Sequence, residues 1–474
     1  MKQTTQSLLE RPTRVRWKIL GLLVAFSFMS WLNRTSIAVA YDLRIKHQFA
    51  ISEVEIGWVY SSLFLAYTVL MTPGGWFADR LGARRALLLV GFGSGVFAAL
   101  TGYLGFLTSA ESFSTLSLAA TASFAVTYLL VVRFLMGACM APIYPASCRA
   151  VGHWIPPDGR ASANGLIMGA ALVGNASSFL LLGEMIDWLD WPSALIITGY
   201  VTAAVAVLWA LEAADSPSTH PRANKAEEEL VNSTATSKPA PPVGPLSVVP
   251  TTKARNGWRA LFANRSLWLL TVSYAAVGYF EYLFFFWMHY YFDNVLHVGS
   301  QRSRIYTCIV FLAMAGGMIL GGRLSDALQR RYGRRWGRLT VAGGGMLAGA
   351  GLLLCGLYAT QPAWIVAWFA LALGSVGASE GPFWTTAVEL GGRLGGTSAG
   401  IFNTGGNVGG LLAPSVTPLV HAYLPEAWDD NLRWKLAISL GAVVCVLGAA
   451  LWWKIHPKAE GEPTSLETAY RAKR

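Results

Sequence analysis

Residues 74–85 read Gly74-Gly75-Trp76-Phe77-Ala78-Asp79-Arg80-Leu81-Gly82-Ala83-Arg84-Arg85. Residues 321–326 read Gly321-Gly322-Arg323-Leu324-Ser325-Asp326, and Gly333-Arg334-Arg335 follows shortly after. In both stretches an Asp stands four residues after the second Gly, and a Gly-x-Arg or Gly-Arg-Arg cluster closes the turn. Each copy also ends a long apolar run. One match of this kind arises by chance; two at equivalent places point to an internal repeat. The alternative is a basic loop that merely obeys membrane topology.

The surrounding chain has 474 residues, 54% hydrophobic and only 13% charged. A soluble protein carries about 25% charged residues, so much of this chain faces a solvent other than water. The net charge of +11 would suggest nucleic acid if it were gathered in one patch. Instead the Lys and Arg sit in short clusters between apolar runs, which excludes a nucleic-acid partner. Cys139, Cys148, Cys308, Cys355 and Cys445 show no ligand spacing, so neither metal nor a disulfide framework is implied. The N-terminus has the outline of a signal peptide, basic then apolar with Ala38-Val39-Ala40. Asn33-Arg34 interrupts its apolar stretch, which favours a retained first helix.

A membrane-spanning helix needs about 20 predominantly apolar residues. Such runs occupy residues 18–42, 55–77, 84–107, 118–142, 161–185, 192–211, 266–292, 305–326, 337–357, 362–387, 397–422 and 433–454. Helix is the expected form, because in lipid each span has to satisfy its own backbone hydrogen bonds. Lys and Arg concentrate in loops on the side of the N-terminus (Arg14, Arg16 and Lys18; Arg84 and Arg85; Arg330, Arg331, Arg334 and Arg335). That side is expected to be cytoplasmic, with both termini inside. Residues 213–258 differ in kind: seven prolines, the run Glu227-Glu228-Glu229 and many Ser, Thr and Ala. They read as a disordered cytoplasmic linker. The expected organisation is therefore an all-α membrane protein with 12 transmembrane helices in two pseudo-symmetric six-helix bundles. It runs as a tail over 1–17, a bundle over 18–212, the linker over 213–258, a bundle over 259–456 and a tail over 457–474.

At these residues the chain resembles the major facilitator superfamily, over all but the linker and tails. Further stretches resemble its anion:cation symporter branch of sugar-acid and sialin-like permeases. They are Asn33-Arg34, Phe64-Leu65-Ala66-Tyr67, Arg133-Phe134-Leu135-Met136-Gly137 with Tyr144-Pro145-Ala146, Pro156-Pro157 with Arg160, and Phe402-Asn403 with Gly406-Asn407. The resemblance implies two bundles rocking about a midplane site in alternating access. It implies a conformational gate built from Gly75, Asp79, Arg80, Gly82, Arg84, Arg85, Asp326 and Arg334, which latches the halves together in one state. In that branch, arginines at the positions of Arg34 and Arg133 contact an anionic substrate, and Tyr67 and Asn403 match polar contact positions.

Ionisable residues inside a span are costly and functional by default. Four stand out: Arg34, Arg133, Glu281 and Glu380. A guanidinium stays charged and offers a planar fork that fits a carboxylate. Arg34 and Arg133 are therefore candidates for an anion site; the alternative is pairing with a buried acid or backbone carbonyl. Glu281 and Glu380 could each carry a proton or serve as a fixed counter-charge. Trp384 and Thr385 follow the helix-breaking Gly381-Pro382, where freed carbonyls would face a cavity. They complete the candidate site with Tyr67 and Asn403. The glycines of spans five and eleven, from Gly165 to Gly174 and from Gly400 to Gly410, are expected to be the surfaces on which the halves slide.

The chain departs from the branch at two positions. Proton-coupled members have an Asp just before the span-one arginine, where this chain has Asn33. They have a Glu seven residues after the span-four arginine, where this chain has Met140. The carrier therefore either runs without protons or has moved coupling to Glu281 or Glu380.

The expected function is secondary active transport of a small organic anion, a hexonate or hexuronate, across the bacterial inner membrane. H+ and Na+ are the candidate co-ions, and a monomer without cofactor is expected. A uniporter, an exchanger or an exporter of a neutral compound is the alternative. Gly396-Thr397-Ser398-Ala399-Gly400 fits the G-x-S-x-G pattern of a hydrolase, but it opens a membrane helix with no strand before it. A solute-sensing receptor would need a signalling domain that the sequence lacks. Neither an enzyme nor a receptor is expected.

Overall fold

The structure is a computed structural model that describes residues 11–109, 117–232 and 258–456. Every regular element among these residues is helical. The first half contains α1 (Val15–Ala40), α2 (Glu53–Leu81), α3 (Ala83–Thr108), α4 (Leu118–Met140), α5 (Ile143–Trp154), α6 (Arg160–Ser177) and α7 (Trp191–Glu212). After the short α8 (Lys225–Asn232), the second half contains α9 (Arg265–Tyr290), α10 (Ser300–Tyr358), α11 (Pro362–Gly377), α12 (Glu380–Gly391), α13 (Gly395–Tyr423) and α14 (Asp430–Leu451).

Nine stretches among the described residues are long and apolar enough to cross a membrane. Two of them, Gln301–Tyr358 and Pro362–Tyr423, are 58 and 62 residues long. At 1.5 Å per residue each would measure roughly 90 Å as a straight rod, about three times the hydrocarbon thickness of a bilayer. Neither is straight. The backbone of α10 leaves helical geometry at Gly333 (φ 81°, ψ 165°) and turns back, so that Arg338 Nε donates to Gln329 Oε1 at 3.2 Å across the reversal. The second stretch reverses at Gly392 (φ 54°), between α12 and α13. Helix α6 continues through a π-helical turn at Ser178–Leu182 into Gly183–Leu189 but is absent from the nine. Its Gly and Asn residues lower its hydropathy, and it lies against α1 and α10 rather than at the periphery. Large apolar side chains such as Trp58, Leu65, Val69, Tyr200, Leu211 and Leu447 are exposed over the outer surface. In water such a surface would aggregate; in lipid it is the ordinary exterior.

The repeat seen in the sequence is also a repeat of backbone geometry. Gly82 closes α2 with φ 89° and ψ 156°, and Gly333 breaks α10 with nearly the same pair of angles. A positive φ of this kind is open to Gly at little cost and strained for other residues. The halves meet by exchange of equivalent elements: α2 packs on α13, and α10 packs on α6. A Cβ at Gly75 would overlap the carbonyl of Gly396, and one at Gly322 the carbonyl of Ala161, so both crossings depend on a missing side chain.

Two expectations need correction. Residues 213–232, expected to be disordered, are packed. Glu227 of α8 is fully buried, where it accepts hydrogen bonds from the Thr13 hydroxyl and, at 3.1 Å, from the Arg16 backbone N–H. The Trp154 indole donates to the Ala214 carbonyl at 2.8 Å and lies edge-on to His220. Composition registers a charged run there, whereas its partner lies more than two hundred residues earlier. The remainder of the linker, 233–257, and the tails 1–10 and 457–474 lie outside the described residues. The span-five and span-eleven glycines also divide in role. Gly165, Gly169 and Gly400 face the opposite half, while Gly174, Gly405, Gly406, Gly409 and Gly410 pack within their own half.

Candidate functional site

A cavity of about 80 Å³ lies between the two halves. From the first half it is lined by Trp31, Arg34, Tyr67, Tyr144 and Met168; from the second by Tyr274, Glu281, Tyr282, Glu380, Trp384, Asn403 and Asn407. Helical spacing places them there. Trp31 and Arg34 are three apart, Glu380 and Trp384 four apart, and Tyr274 and Glu281 two turns apart, so each pair shares a helix face.

Arg34 is the cation of this cavity. Its guanidinium carbon lies 4.8 Å from the ring centre of Trp31 and 5.2 Å from those of Phe64 and Tyr67. Rings at this range attract a cation through their quadrupole without neutralising it. Tyr282 of the opposite half lines the same cavity. Among the described residues Arg34 forms no ion pair with a carboxylate. Tyr67 of the first half and Asn403 of the second both line the cavity. The Trp31 indole donates to the Tyr144 hydroxyl at 2.5 Å, and the Tyr144 ring lies 5.6 Å from that of Trp384. Opposite Arg34, Glu380 Oε2 accepts from the Tyr274 hydroxyl at 3.0 Å and from the Trp384 indole at 2.9 Å.

The structure does not bring every expected site residue to the cavity. Arg133 is buried away from it. Its guanidinium donates to the carbonyls of Asn33 at 3.1 Å and Arg34 at 2.5 Å. Arg133 thus fastens α4 to the helix that carries Arg34. The backbone-carbonyl alternative is what the structure contains. Thr385 also lies outside the cavity: it accepts from Asn164 Nδ2 at 3.0 Å and donates to the Gly381 carbonyl at 2.8 Å, a contact between the halves. Asn33 turns toward α7, donating to Thr202 at 2.7 Å, and Met140 is packed in the core.

At the end of the molecule that bears the repeated motif, each half holds the other by a helix N-terminus. Asp79 accepts from the backbone N–H groups of Gly396 at 2.8 Å and Thr397 at 2.6 Å, from the Thr397 hydroxyl at 2.7 Å, and from Arg149 at 2.7 Å. Asp326 accepts from the backbone N–H groups of Ala161 at 3.2 Å and Ser162 at 2.7 Å and from the Ser162 hydroxyl at 2.5 Å. The first four N–H groups of a helix have no partner within it, and the dipole favours negative charge there. Each Asp thus satisfies the unpaired start of a helix in the opposite half, α13 or α6. The Gly396–Gly400 stretch that resembles a hydrolase motif is this helix start, and Ser398 donates to the Ala387 carbonyl at 2.7 Å. Arg80 lies over Trp76 and Arg84 bonds the Ala210 carbonyl, so neither enters the latch, and Arg85 forms no described bond there.

The sequence reading missed Glu389. It accepts two hydrogen bonds from the buried Arg338, at 2.7 and 2.8 Å, and lies 3.8 Å from Arg160 of the other half. In the sequence, Arg338 and Arg160 are two more basic residues on the side of the N-terminus. The signal that could have found them is one acid just past the expected end of span ten.

Residues 23–414 match the profile of the Major Facilitator Superfamily. The chain belongs to the major facilitator superfamily. It is a multi-pass membrane transporter and not an enzyme. Among curated relatives, it is 26% identical to the probable sulfoacetate transporter SauU of Cupriavidus necator, covering 94% of each chain. It is 25% identical to the probable galactarate/D-glucarate transporter GudP of Bacillus subtilis, over 93% of this chain and 92% of that one. It is 27% identical to the D-galactonate transporter of Escherichia coli, over 88% and 91%. Among solved structures, the proton:xylose symporter XylE bound to 6-bromo-6-deoxy-D-glucose superposes with a TM-score of 0.65, covering 96% of this chain and 98% of that one. At 16% identity that likeness establishes the fold.

Proposed function

We propose that this superfamily transporter carries a small organic anion, a sugar acid such as a hexonate or hexuronate, by alternating access. In this reading it acts as a monomer with twelve crossings in the bacterial inner membrane, and both termini and the latch face the cytoplasm. The observation that carries the reading is Arg34: a cation on the cavity wall, unneutralised by any described carboxylate and ringed by Trp31, Phe64 and Tyr67. A guanidinium left with its fork free in a low-dielectric cavity favours a carboxylate or sulfonate as ligand. The anionic substrates in the names of the three relatives above support the same class. Tyr67, Asn403 and Asn407 offer polar groups to hydroxyls of the rest of the solute. A neutral solute would require Glu281 or Glu380 to cancel the charge of Arg34, and neither pairs with it. The closed latch fits a state sealed at the motif end, with transport requiring its release.

The test is uptake of radiolabelled D-galactonate, D-glucuronate, D-glucarate and sulfoacetate into proteoliposomes, with and without an inward proton gradient. Saturable entry of at least one acid is expected. If no acid enters while a neutral compound is exported, the anion reading is wrong.

A further inference from the structure

Two carboxyls stand together on the cavity wall formed by α9 and α12. Glu281 is 9% exposed and Glu380 2%. Their side chains lie within hydrogen-bonding reach of one another. Oε2 of Glu380 is held by Tyr274 and Trp384, while Oε1 of each residue is buried and receives no donor from any other described group. No Lys or Arg joins them in an ion pair among the described residues. Two charged carboxylates side by side, out of water, repel strongly. Desolvation of both charges adds to that cost. One proton between them replaces the repulsion with a hydrogen bond, and the pair then titrates as a unit.

We infer that Glu281 and Glu380 act as one unit holding a single exchangeable proton, through which anion movement couples to a proton gradient. The inference rests on the anion reading of the cavity. The titratable or charged groups facing the pair are Tyr274 and Tyr282 from α9, Tyr144 and Cys148 from α5, Cys445 from α14 and Arg34 from α1. Helices α10 and α13 present Met and Asn side chains, which do not titrate. Tyrosine and cysteine are ordinarily neutral near pH 7 and arginine stays charged. Among the described residues, that leaves the pair as the exchangeable group of the cavity. The cycle balances simply: an O–H bond forms on the pair from water on one side and breaks to water on the other. The anion travels on Arg34 in the same turn. The Tyr274 and Trp384 donors hold Glu380 in place, and the ring of Trp384 meets that of Tyr144, whose hydroxyl is bonded to Trp31 beside Arg34. The proton site and the anion site are thus joined by contiguous packing.

Infrared difference spectroscopy of the full chain in lipid, titrated in pH without any solute, reads the pair directly. A carboxylic-acid carbonyl band equivalent to one proton is expected. It should shift in Glu281→Gln and in Glu380→Gln and vanish in the double variant. A wild-type protein with no such band, or a band unchanged in the double variant, overturns the inference. In proteoliposomes with D-galactonate as probe, an inward proton gradient should drive accumulation in the wild type. The double variant should exchange the probe, at whatever reduced rate, without accumulating it; gradient-driven accumulation by that variant also overturns the inference. Exchange reports that a variant is folded. If no acid enters even the wild type, the anion reading fails, and the substrate-free infrared titration then judges the proton pair on its own.

Discussion

The latch and the cavity use the same twofold plan in opposite ways. At the latch the halves repeat each other: Asp79 and Asp326 each seal a helix start in the other half, and Gly75 and Gly322 each let that helix approach. In the cavity the halves diverge, with a guanidinium on the first-half wall and a carboxyl pair on the second. A rocking motion needs both halves to open and close alike, so the surfaces that control it can remain copies. On the proposed reading, binding an anion and moving a proton are different tasks, and one residue cannot be both a permanent cation and an exchangeable acid. On that reading, duplicated structure serves the motion and divergence serves the chemistry.

The largest effect that can break this comparison is at Arg34. Arg34→Ala should reduce affinity for a transported acid about 30-fold or more, because a desolvated carboxylate without its partner loses about 2 kcal/mol or more. Arg34→Lys should recover part of it, since an ammonium keeps the charge and loses the fork. Competition binding on the purified variants measures both. A wild-type affinity in Arg34→Ala would move the anion site elsewhere in the chain.

The next effect is at the latch and tests how equal the copies are. Loss of a helix cap costs about 1 kcal/mol, and loss of its charge at the dipole about 0.3–1 kcal/mol more. Asp79→Ala should therefore shift the population open at the motif end by roughly tenfold, about 1.4 kcal/mol. Asp326→Ala should shift it less, because Asp79 also holds Arg149 while Asp326 has no ion pair among the described residues. Labelling of a cysteine placed between the halves at that end reports the shift. The reverse order would show that the Arg149 contact does not stabilise the closed state.

The smallest effect is at Arg80, which belongs to the same motif but lies over Trp76 at the surface. Arg80→Ala should change stability and labelling by less than about 0.5 kcal/mol. A shift as large as that of Asp79→Ala would place Arg80 in the latch in some other state of the cycle.

The misreadings share a cause. Arg133 and Arg34 look alike in the sequence, each an arginine within an apolar run at similar depth. What separates them is rotation about the helix axis, which turns one toward the cavity and the other onto the carbonyls of α1. Thr385 follows Trp384 by one residue and so faces about 100° away, onto Asn164. Glu227 lies in a composition that suggests solvent, yet it is buried against Thr13 and Arg16.

The sequence by itself determined the class of the protein: helices set by apolar run length, two halves set by a repeated Gly and Asp spacing, and a membrane exterior set by scarce charge. These are properties of single segments, and lipid leaves a backbone few alternatives. It also placed Arg34, Tyr67, Asn403, Glu281, Glu380 and Trp384 among the candidates. Only the tertiary structure decided that Arg133 and Thr385 lie outside the cavity, that Asp79 and Asp326 cap each other's halves, and that Glu281 and Glu380 are neighbours. Those facts depend on which faces of distant helices meet, and the spacing of residues along one chain does not encode the rotation of one helix against another.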